Sequence, residues 1–294
     1  MGSGGGETDE EICGGFPPRR ARLFRLLVLA LTAALAAAQA WSAGGGAAGQ
    51  GPDATVAPEF TLTRADLQKL TASFPGSVQQ KILADAPRFL SLLAQALGEP
   101  PNLLELVDKR HVLADDFVPP DLVSLSGYPL SVGRPDLRLR KAIMPEVMAL
   151  ASAARTDGVT LLFSSAYRSF EYQKLVFDRE VRTYGRQAAE RESALPGASQ
   201  HQLGTAIDFG SITDEFAQTK AGRWLASRAW EYGFTLSYPR GYEEVTGYRW
   251  ESWHYRYIGR PAARLQREFF GDVQQYLLEF FHDHRAALEA ARVK

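Results

Sequence analysis

The sequence predicts an α+β fold: a small, mainly antiparallel sheet flanked by helices, with further helices added at the N- and C-terminal ends. Stretches with strand character are short, and the helical stretches between them come at irregular intervals. A parallel sheet with crossover helices would need regular alternation of the two. The chain has 294 residues, of which 45% are hydrophobic, so it can bury the core of one domain with extensions.

Composition excludes several classes of function. The formal net charge of −1 gives no electrostatic basis for a nucleic-acid partner. Cys13 is the only cysteine. An internal disulfide framework and a CxxC zinc knuckle are therefore both excluded.

Residues 1–41 are predicted to be a signal peptide or an N-terminal anchor. Four arginines precede an apolar run over residues 26–40, and Ala38-Gln39-Ala40 has the small-residue pattern of a cleavage site. An uncleaved anchor through residues 23–41 is the alternative, although a span needs about 20 apolar residues and the run reaches that length only by including Arg25. A buried soluble helix is disfavoured by the basic flank. Both favoured interpretations place the rest of the chain outside the cytoplasm, periplasmic or otherwise extracytoplasmic, cleaved or membrane-anchored.

The remaining chain is predicted to have four segments. Residues 42–60 are rich in Gly, Ala and Pro and are interpreted as a flexible linker. Residues 61–98 form a helical extension, which Pro75-Gly76 divides into a short and a longer helix. It could be a spacer, a lid or an interaction surface. Residues 99–262 form the central domain, and residues 263–294 form a C-terminal helix that packs on this domain or presents its aromatic side chains to a partner.

Within the central domain the periodicity predicts a few short elements. Pro119-Pro120 indicates an extended, irregular path at the start of the domain. Helical periodicity covers residues 137–154, 170–184 and 213–233, and β-branched and aromatic stretches predict strands over residues 159–163, 206–209, 234–238 and 253–258.

Two stretches carry the side chains that a metal site needs: SQHQLGTAIDFG, residues 199–210, and ESWHYRYIG, residues 251–259. On a helix, His201 and Asp208 would lie two turns apart, too far to share an ion comfortably. A loop followed by a strand brings both to one ion, and Gly204 lets the backbone turn tightly between them. Strand alternation would then direct Ile207 and Phe209 to the opposite, core face.

Glu251 and His254 are three residues apart. If Glu251 ends a loop and His254 begins a strand, the imidazole can bind zinc while the carboxylate lies over a zinc-bound water, as a zinc-assisted hydrolase requires. Taken singly, neither motif is specific: a histidine and an aspartate seven residues apart often occur by chance, and a Trp-His pair in a strand usually belongs to the core. The other histidines are not predicted ligands: His111 has a surface or packing role, and His282 and His284 diverge in a polar helix.

Three stretches in this order resemble the motifs of the D-Ala-D-Ala zinc metallopeptidases, in particular the VanY-type D-alanyl-D-alanine carboxypeptidases of the LAS group: SSAYRSFEYQ, SQHQLGTAIDFG and ESWHYRYIG. The family pattern S-x-H-x-x-G-x-A-x-D followed by E-x-W-H is met at every defining position. The stretch VDKRHVLADDFVPPDLV also resembles the family's entry segment, so the resemblance covers about residues 103–259. Ser252 departs from relatives, which often carry proline there; it should face away from the ion.

The resemblance implies a hedgehog/D,D-peptidase-like fold with one Zn²⁺ bound by His201, Asp208 and His254. Glu251 would be the general base and then the proton donor to the leaving amine. Arg168 would stabilise the oxyanion that develops at the scissile carbonyl, for which an always-charged planar group is suited; its alternative is a structural salt bridge. Substrate-binding positions are implied for Tyr167, Gln173, Ser199 and Trp253, although a core role is an equal alternative for Tyr167 and Trp253.

Residues 99–262 are thus predicted to be a zinc D,D-peptidase domain. The expected reaction is removal of the terminal D-Ala from peptidoglycan stem peptides that end in D-Ala-D-Ala, by Glu-assisted attack of a zinc-bound water. A peptidoglycan endopeptidase of the L-Ala-D-Glu type would share the same zinc site. A cytoplasmic D-Ala-D-Ala dipeptidase agrees poorly with the export signal. A non-catalytic wall-binding module is the remote alternative, because Glu251 and all three ligands are present.

Overall fold

The computed structural model describes residues 55–293, so the predicted signal or anchor and the first part of the predicted linker lie outside the described residues. The strands are β1 (Thr55–Ala57), β2 (Phe60–Thr63), β3 (Leu122–Ser124), β4 (Ser131–Val132), β5 (Arg138–Arg140), β6 (Leu162–Ser165), β7 (Ala206–Phe209), β8 (Phe234–Leu236) and β9 (His254–Tyr257). The α-helices are α1 (Arg64–Leu70), α2 (Gly76–Ala84), α3 (Ala86–Ala96), α4 (Met144–Thr156), α5 (Phe170–Tyr184), α6 (Arg186–Glu192), α7 (Lys220–Arg228), α8 (Glu243–Thr246), α9 (Arg260–Phe269) and α10 (Gln274–Ala290). Across residues 55–293, none of these helices combines the length and apolar character of a bilayer span.

The main sheet has five strands in the order β4-β6-β7-β9-β8. Only the β4–β6 pair is parallel; the other neighbours are antiparallel. The predicted α+β fold with a small, mainly antiparallel sheet is therefore confirmed. Every residue of the neighbouring inner strands β7 and β9 is buried.

One face of this sheet carries the hydrophobic core of the central domain. Ile207 and Phe209 of β7 pack there with Phe163 of β6 and with Val147 and Leu150 of α4. The alternation predicted for β7 is thus correct. Asp208, between these two residues in the sequence, therefore points to the opposite face of the sheet. Its neighbour in the adjacent strand β9 is His254.

A second core joins the predicted N-terminal extension to the C-terminal helices. Phe89 of α3 packs edge-on against Phe269 and Phe280, with ring centroids 5.3 and 5.8 Å apart. At its margin Arg88 makes a bidentate ion pair with Glu268, at 3.0 and 2.9 Å. The C-terminal aromatic side chains are therefore buried against the extension, and the two added segments form one layer of the described unit.

The predicted linker of residues 42–60 extends too far. Residues Thr55–Ala57 and Phe60–Thr63 form the antiparallel pair β1–β2. Phe60 and Ala57 are buried in the second core, which favours strand over a solvated coil. The strand β2 is further held by the C-terminal end: the Thr61 amide donates to the Ala291 carbonyl at 2.8 Å, and the Val293 amide donates to the Glu59 carbonyl at 2.9 Å.

The added segments hold more helices than predicted. The extension has three rather than two, because Asp85 caps a new helix by accepting a hydrogen bond from the Arg88 amide. The C-terminal segment is two helices, since the chain takes positive φ angles at Gly271 and Asp272. The first of them, α9, begins at Arg260, ahead of the predicted boundary at residue 263.

Some predicted elements of the central domain also differ. The helix predicted from residue 137 begins only at Met144, with Pro145 in its first turn; Arg138–Arg140 form β5 and Lys141–Ile143 a 3₁₀ turn. The helix predicted over residues 213–233 is divided, because Thr219 caps α7 by accepting from the Gly222 amide. The helix over residues 170–184 and the strand over residues 206–209 match the prediction.

Candidate metal and active site

Neighbouring elements bring the two predicted motifs together. In the antiparallel pairing of β7 with β9, Asp208 lies directly opposite His254. His201 lies in a 3₁₀ turn (Gln200–Leu203) that precedes β7. Gly204 closes this turn with φ of 68° and donates its amide to the His201 carbonyl at 3.1 Å.

The three side chains converge on one point. The His201 Nε2 atom lies 3.2 Å from Asp208 Oδ2, and the His254 Nδ1 atom lies 3.1 Å from Asp208 Oδ1. One ligand atom from each residue lies within 4.8 Å of the others, and all three residues are buried. The buried atoms His201 Nε2 and Asp208 Oδ1 have no hydrogen-bond partner of good geometry. Two imidazole nitrogens and one carboxylate are a donor set of a catalytic zinc site, so the residues fit such an ion.

Each imidazole is oriented by its other nitrogen. His201 Nδ1 lies 2.6 Å from the Ala166 carbonyl oxygen, which can only accept, so this nitrogen carries the proton and Nε2 keeps its lone pair for the cluster. His254 Nε2 lies 3.2 Å from Gln200 Oε1, which leaves Nδ1 facing the cluster. The two histidines thus present different ring nitrogens.

The electrostatics keep the ligands in their binding forms. Burial, together with the positive charge of Arg168, lowers the pKa of His201 to about 4. Burial by itself would raise the pKa of Asp208, but the interactions with His201 and His254 hold this pKa well below its usual range. A neutral imidazole beside an ionised carboxylate is the form that binds a divalent cation.

Glu251 lies next to this cluster but supplies no atom to the trio. Its Oε2 atom is 3.5 Å from His254 Nδ1, and its amide donates to the Tyr238 carbonyl at 3.1 Å. Burial, and next the negative charge of Asp208, raise the pKa of Glu251 well above its usual range. A bound cation would oppose both effects. A carboxyl group beside the cluster is placed to accept a proton and later return it.

A cavity of about 540 Å³ opens onto the cluster and contains most of the predicted site residues: Arg168, Ser199, His201, Asp208, Glu251, Trp253 and His254. The Arg168 amide donates to the His201 carbonyl at 3.2 Å, and its buried Nε atom has no hydrogen-bond partner. Ser199 Oγ accepts from the His201 amide at 3.3 Å. The structure therefore places the Arg168 and Ser199 side chains in the same cavity as the cluster.

Two predicted substrate-binding residues do not line this cavity. Gln173 is buried behind its wall and donates to the Ala194 carbonyl at 2.7 Å and to Ser193 Oγ at 3.3 Å, so it supports two lining residues. Tyr167 lines a separate cavity of about 210 Å³, where the Arg138 guanidinium lies 5.2 Å from its ring. Gln173 is thus held from behind by residues of the cavity wall, whereas the Arg138 guanidinium lies against Tyr167 on the side of the smaller cavity.

Sequence reasoning missed several cavity residues. The Tyr238 ring packs 4.8 Å from the His254 ring and 4.9 Å from the Tyr248 ring. Arg249 forms ion pairs with Glu192 and Asp214, both at 2.6 Å. Arg249 could have been noticed two positions before Glu251, whereas no spacing signal marks the tyrosines.

The remaining histidines lie outside the cluster. His111 Nδ1 is 2.9 Å from Asp108 Oδ1, and its ring packs 4.6 Å from that of His282. His284 packs against Phe280 at 5.3 Å. Ser252 lines a different cavity, formed with α7, and so faces away from the cluster as predicted.

Sequence comparison identifies the family. Residues 136–260 match the family described as "VanY: D-alanyl-D-alanine carboxypeptidase". The protein "Putative carboxypeptidase YodJ" of Bacillus subtilis (strain 168) is 33% identical over 190 residues, which cover 62% of this chain and 69% of that protein. This chain belongs to the VanY family. The bifunctional D-Ala-D-Ala dipeptidase and carboxypeptidase VanXYC of Enterococcus gallinarum is 30% identical over 193 residues, which cover 63% of this chain and 96% of that protein.

Solved structures agree with the assignment to the VanY family. The LdcB LD-carboxypeptidase superposes with a TM-score of 0.55 at 32% identity, covering 62% of this chain and 87% of LdcB. The D,D-pentapeptidase VanY, solved in complex with Zn(II), gives a TM-score of 0.51 at 31% identity, covering 60% and 99% of the two chains. VanYB, solved in complex with D-alanine-D-alanine, superposes with a TM-score of 0.51 at 33% identity, covering 60% of this chain and 97% of VanYB. The predicted fold family and the prediction that the protein is an enzyme of this class are confirmed.

Proposed function

We propose that this VanY-family protein is a zinc-dependent D,D-carboxypeptidase that removes the terminal D-Ala from peptidoglycan stem peptides. The observation that carries the proposal is the convergence of His201, Asp208 and His254 beside Glu251 in one cavity. Zn(II) and D-alanine-D-alanine in the solved VanY-type relatives support the metal and the substrate.

In the proposed reaction His201, Asp208 and His254 hold Zn²⁺. The ion, when bound, supplies Lewis acidity that acidifies water and polarises the scissile carbonyl. Glu251 takes the proton of the attacking water and then gives it to the amine of the departing D-Ala. The position of the Glu251 carboxylate, 3.5 Å from His254 Nδ1 in the same cavity, suits both of these transfers.

Cations in the same cavity suit a substrate that ends in a free carboxylate. Arg168, Arg179 and Arg249 all line it. We assign Arg168 to the developing oxyanion, since its half-buried side chain lines the same cavity as His201 and Glu251. Arg249 is already paired with Glu192 and Asp214, so it shapes the wall.

The direct test is release of D-Ala from a pentapeptide that ends in D-Ala-D-Ala. We expect release that a chelator abolishes and added zinc restores. A zinc-loaded protein that releases no D-Ala refutes the carboxypeptidase proposal. Digestion of whole peptidoglycan distinguishes the endopeptidase, which would cut internal L-Ala-D-Glu bonds instead.

A second candidate is an L,D-carboxypeptidase, which acts on a tetrapeptide whose last bond joins an L-centre to D-Ala. The observation that favours it is the similarity to LdcB, at 32% identity and a TM-score of 0.55. The discriminating measurement is the ratio of kcat/KM for the penta- and tetrapeptides. A ratio above one supports the D,D activity, and a ratio below one supports the L,D activity.

We further propose that the enzyme acts outside the cytoplasmic membrane, where its substrate lies. The support is the arginine-flanked apolar run of residues 26–40 and the cleavage-like residues 38–40. Cell fractionation combined with N-terminal sequencing tests this. An N-terminus near residue 41 indicates a cleaved signal, an intact one in the membrane fraction indicates an anchor, and full-length protein in the cytoplasm refutes export.

A further inference from the structure

A buried chain of hydrogen bonds connects the C-terminal helix α10 to the proposed ligand His254. Gln274, the first residue of α10, is 1% exposed, and Gln200 is 2% exposed. Gln200 Nε2 donates to Gln274 Oε1 at 3.2 Å, and Ser237 Oγ donates to Gln200 Oε1 at 2.7 Å. The His254 Nε2 atom lies 3.2 Å from the same Gln200 oxygen.

The direction of every bond in this chain follows from one backbone carbonyl. Gln274 Nε2 lies 3.3 Å from the Thr235 carbonyl oxygen and 2.7 Å from Thr235 Oγ1. A carbonyl can only accept, so the amide nitrogen of Gln274 must face Thr235 and its oxygen must face Gln200. Gln200 must then direct its nitrogen to Gln274 and its oxygen to His254.

The same logic fixes the tautomer of His254. Because Gln200 offers an oxygen, His254 Nε2 must carry a proton and donate it. The lone pair is then on Nδ1, the atom that faces Asp208 Oδ1 at 3.1 Å. If the Gln200 amide rotated by half a turn, it would present a donor to His254 and favour the wrong tautomer.

We propose that Gln274 is a positioning residue for the metal site, which sets the tautomer and orientation of His254 through Gln200. This inference rests on the proposed function, since it assumes that His254 binds zinc. Gln274 lies outside residues 136–260, the part matched by the VanY family. The C-terminal helix therefore contributes to the metal site as well as to the second hydrophobic core.

The next residue on α10 provides a matched control. Gln275 is also buried, and its Nε2 donates to Asp108 Oδ2 at 2.8 Å and to Glu279 Oε1 at 3.0 Å. Among the hydrogen bonds of residues 55–293, it makes none to Gln200 or His254. Replacing either glutamine by methionine keeps a similar length and removes the amide, so both variants lose buried hydrogen bonds at the start of α10.

The experiment compares Gln274→Met with Gln275→Met in the full chain. Zinc affinity is measured by competition with a chromophoric chelator, and ligand geometry by the visible spectrum of the cobalt-substituted protein. We expect Gln274→Met to weaken zinc binding about 10-fold, near the lower end of the effect of groups that orient metal ligands, and to shift the cobalt bands. Gln275→Met should retain the wild-type affinity and spectrum.

The outcomes separate this inference from the proposed function. Wild-type affinity and cobalt bands in Gln274→Met overturn the positioning role, as do equal losses in both variants, which would indicate a general effect of α10. If the methionine variants fail to fold, Gln274→Asn and Gln275→Asn repeat the comparison with an amide that is one methylene too short. A wild-type protein that binds zinc but releases no D-Ala refutes the proposed activity alone, because neither readout uses the substrate.

Discussion

Gly204 is the position where a single methyl group should disturb the proposed metal site most directly. Its φ of 68° is left-handed, which costs an L-residue about 1–2 kcal/mol. Alanine also restricts the unfolded chain more than glycine does, which offsets about 0.4–1 kcal/mol of this destabilisation. A Cβ atom there would also lie 3.0 Å from both Arg140 Cγ and Leu122 Cδ2, closer than ordinary contact. Such crowding costs about 1–3 kcal/mol, so we expect Gly204→Ala to destabilise the protein by about 1–5 kcal/mol.

Gly158 separates the two contributions. It has a similar φ of 71°, but a Cβ atom there would meet nothing within 4 Å. Gly158→Ala should therefore cost only the net backbone part, about 0–1.6 kcal/mol, which is less than Gly204→Ala by the cost of crowding. The free energy of unfolding of both variants is measured by urea unfolding, and their zinc affinity is measured in parallel. Only Gly204→Ala should weaken zinc binding, because Gly204 closes the turn that carries His201. Equal destabilisation by the two alanines would refute the argument from crowding.

Three other substitutions test separate parts of the structure. Glu251→Gln should keep zinc affinity and lower kcat about 100- to 10,000-fold, as expected for loss of a general base; near-native kcat would exclude Glu251 from that role. Arg168→Lys should lower kcat about 100-fold, because lysine keeps the charge but not the planar donor fork; unchanged kcat in a peptide-hydrolysis assay would contradict it. Asp108→Ala should destabilise the protein by about 2 kcal/mol or more at pH 7, because charge-assisted bonds are lost. Burial works to raise the pKa of Asp108, but hydrogen bonds from the Arg110 and His111 amides outweigh it and lower this pKa below 3.8. The stabilisation is thus present above pH 3.8 and lost as the pH falls through the lowered pKa. In urea unfolding, the difference in free energy of unfolding between wild type and Asp108→Ala should therefore become smaller at acid pH. A difference that stays constant with pH would refute this.

The proposed ligands could be predicted from sequence because their placement depends on short-range geometry. His201, Gly204 and Asp208 lie within one turn and one strand, so the local backbone sets their relative positions. His254 requires only that β9 pair beside β7, which the motif order and strand pattern already favour. Alternation along β7 likewise predicted which side chains enter the core.

Features that depend on distant parts of the chain could not be predicted in this way. Phe60 of β2 is buried in a core that α1–α3 share with helices some 200 residues later in the sequence. Gln274 reaches Gln200 across 74 residues, and no periodicity links a helix N-terminus to a metal turn. Gln173 and Tyr167 were assigned to the substrate by motif position, but the side chain's own partners decide which way it points.

The hydrogen bonds that tie residues 59–61 to residues 291–293 give the described chain the connectivity of a closed ring. Paired strands lie about 5 Å apart, so residue 293 lies beside the β1–β2 hairpin, and a linker could join it to Thr55 with β1 retained. New ends could then be opened at Gly185, an exposed glycine between α5 and α6 with open space around it. Because the linker then precedes β1, such a circular permutant keeps Ala57 in the second core as well as the metal turn, and chain ends at exposed junctions are tolerated where local packing is not interrupted. The new ends would lie between α5 and α6, so a tag or tether could be attached there while residues 59–61 and 291–293 stay paired.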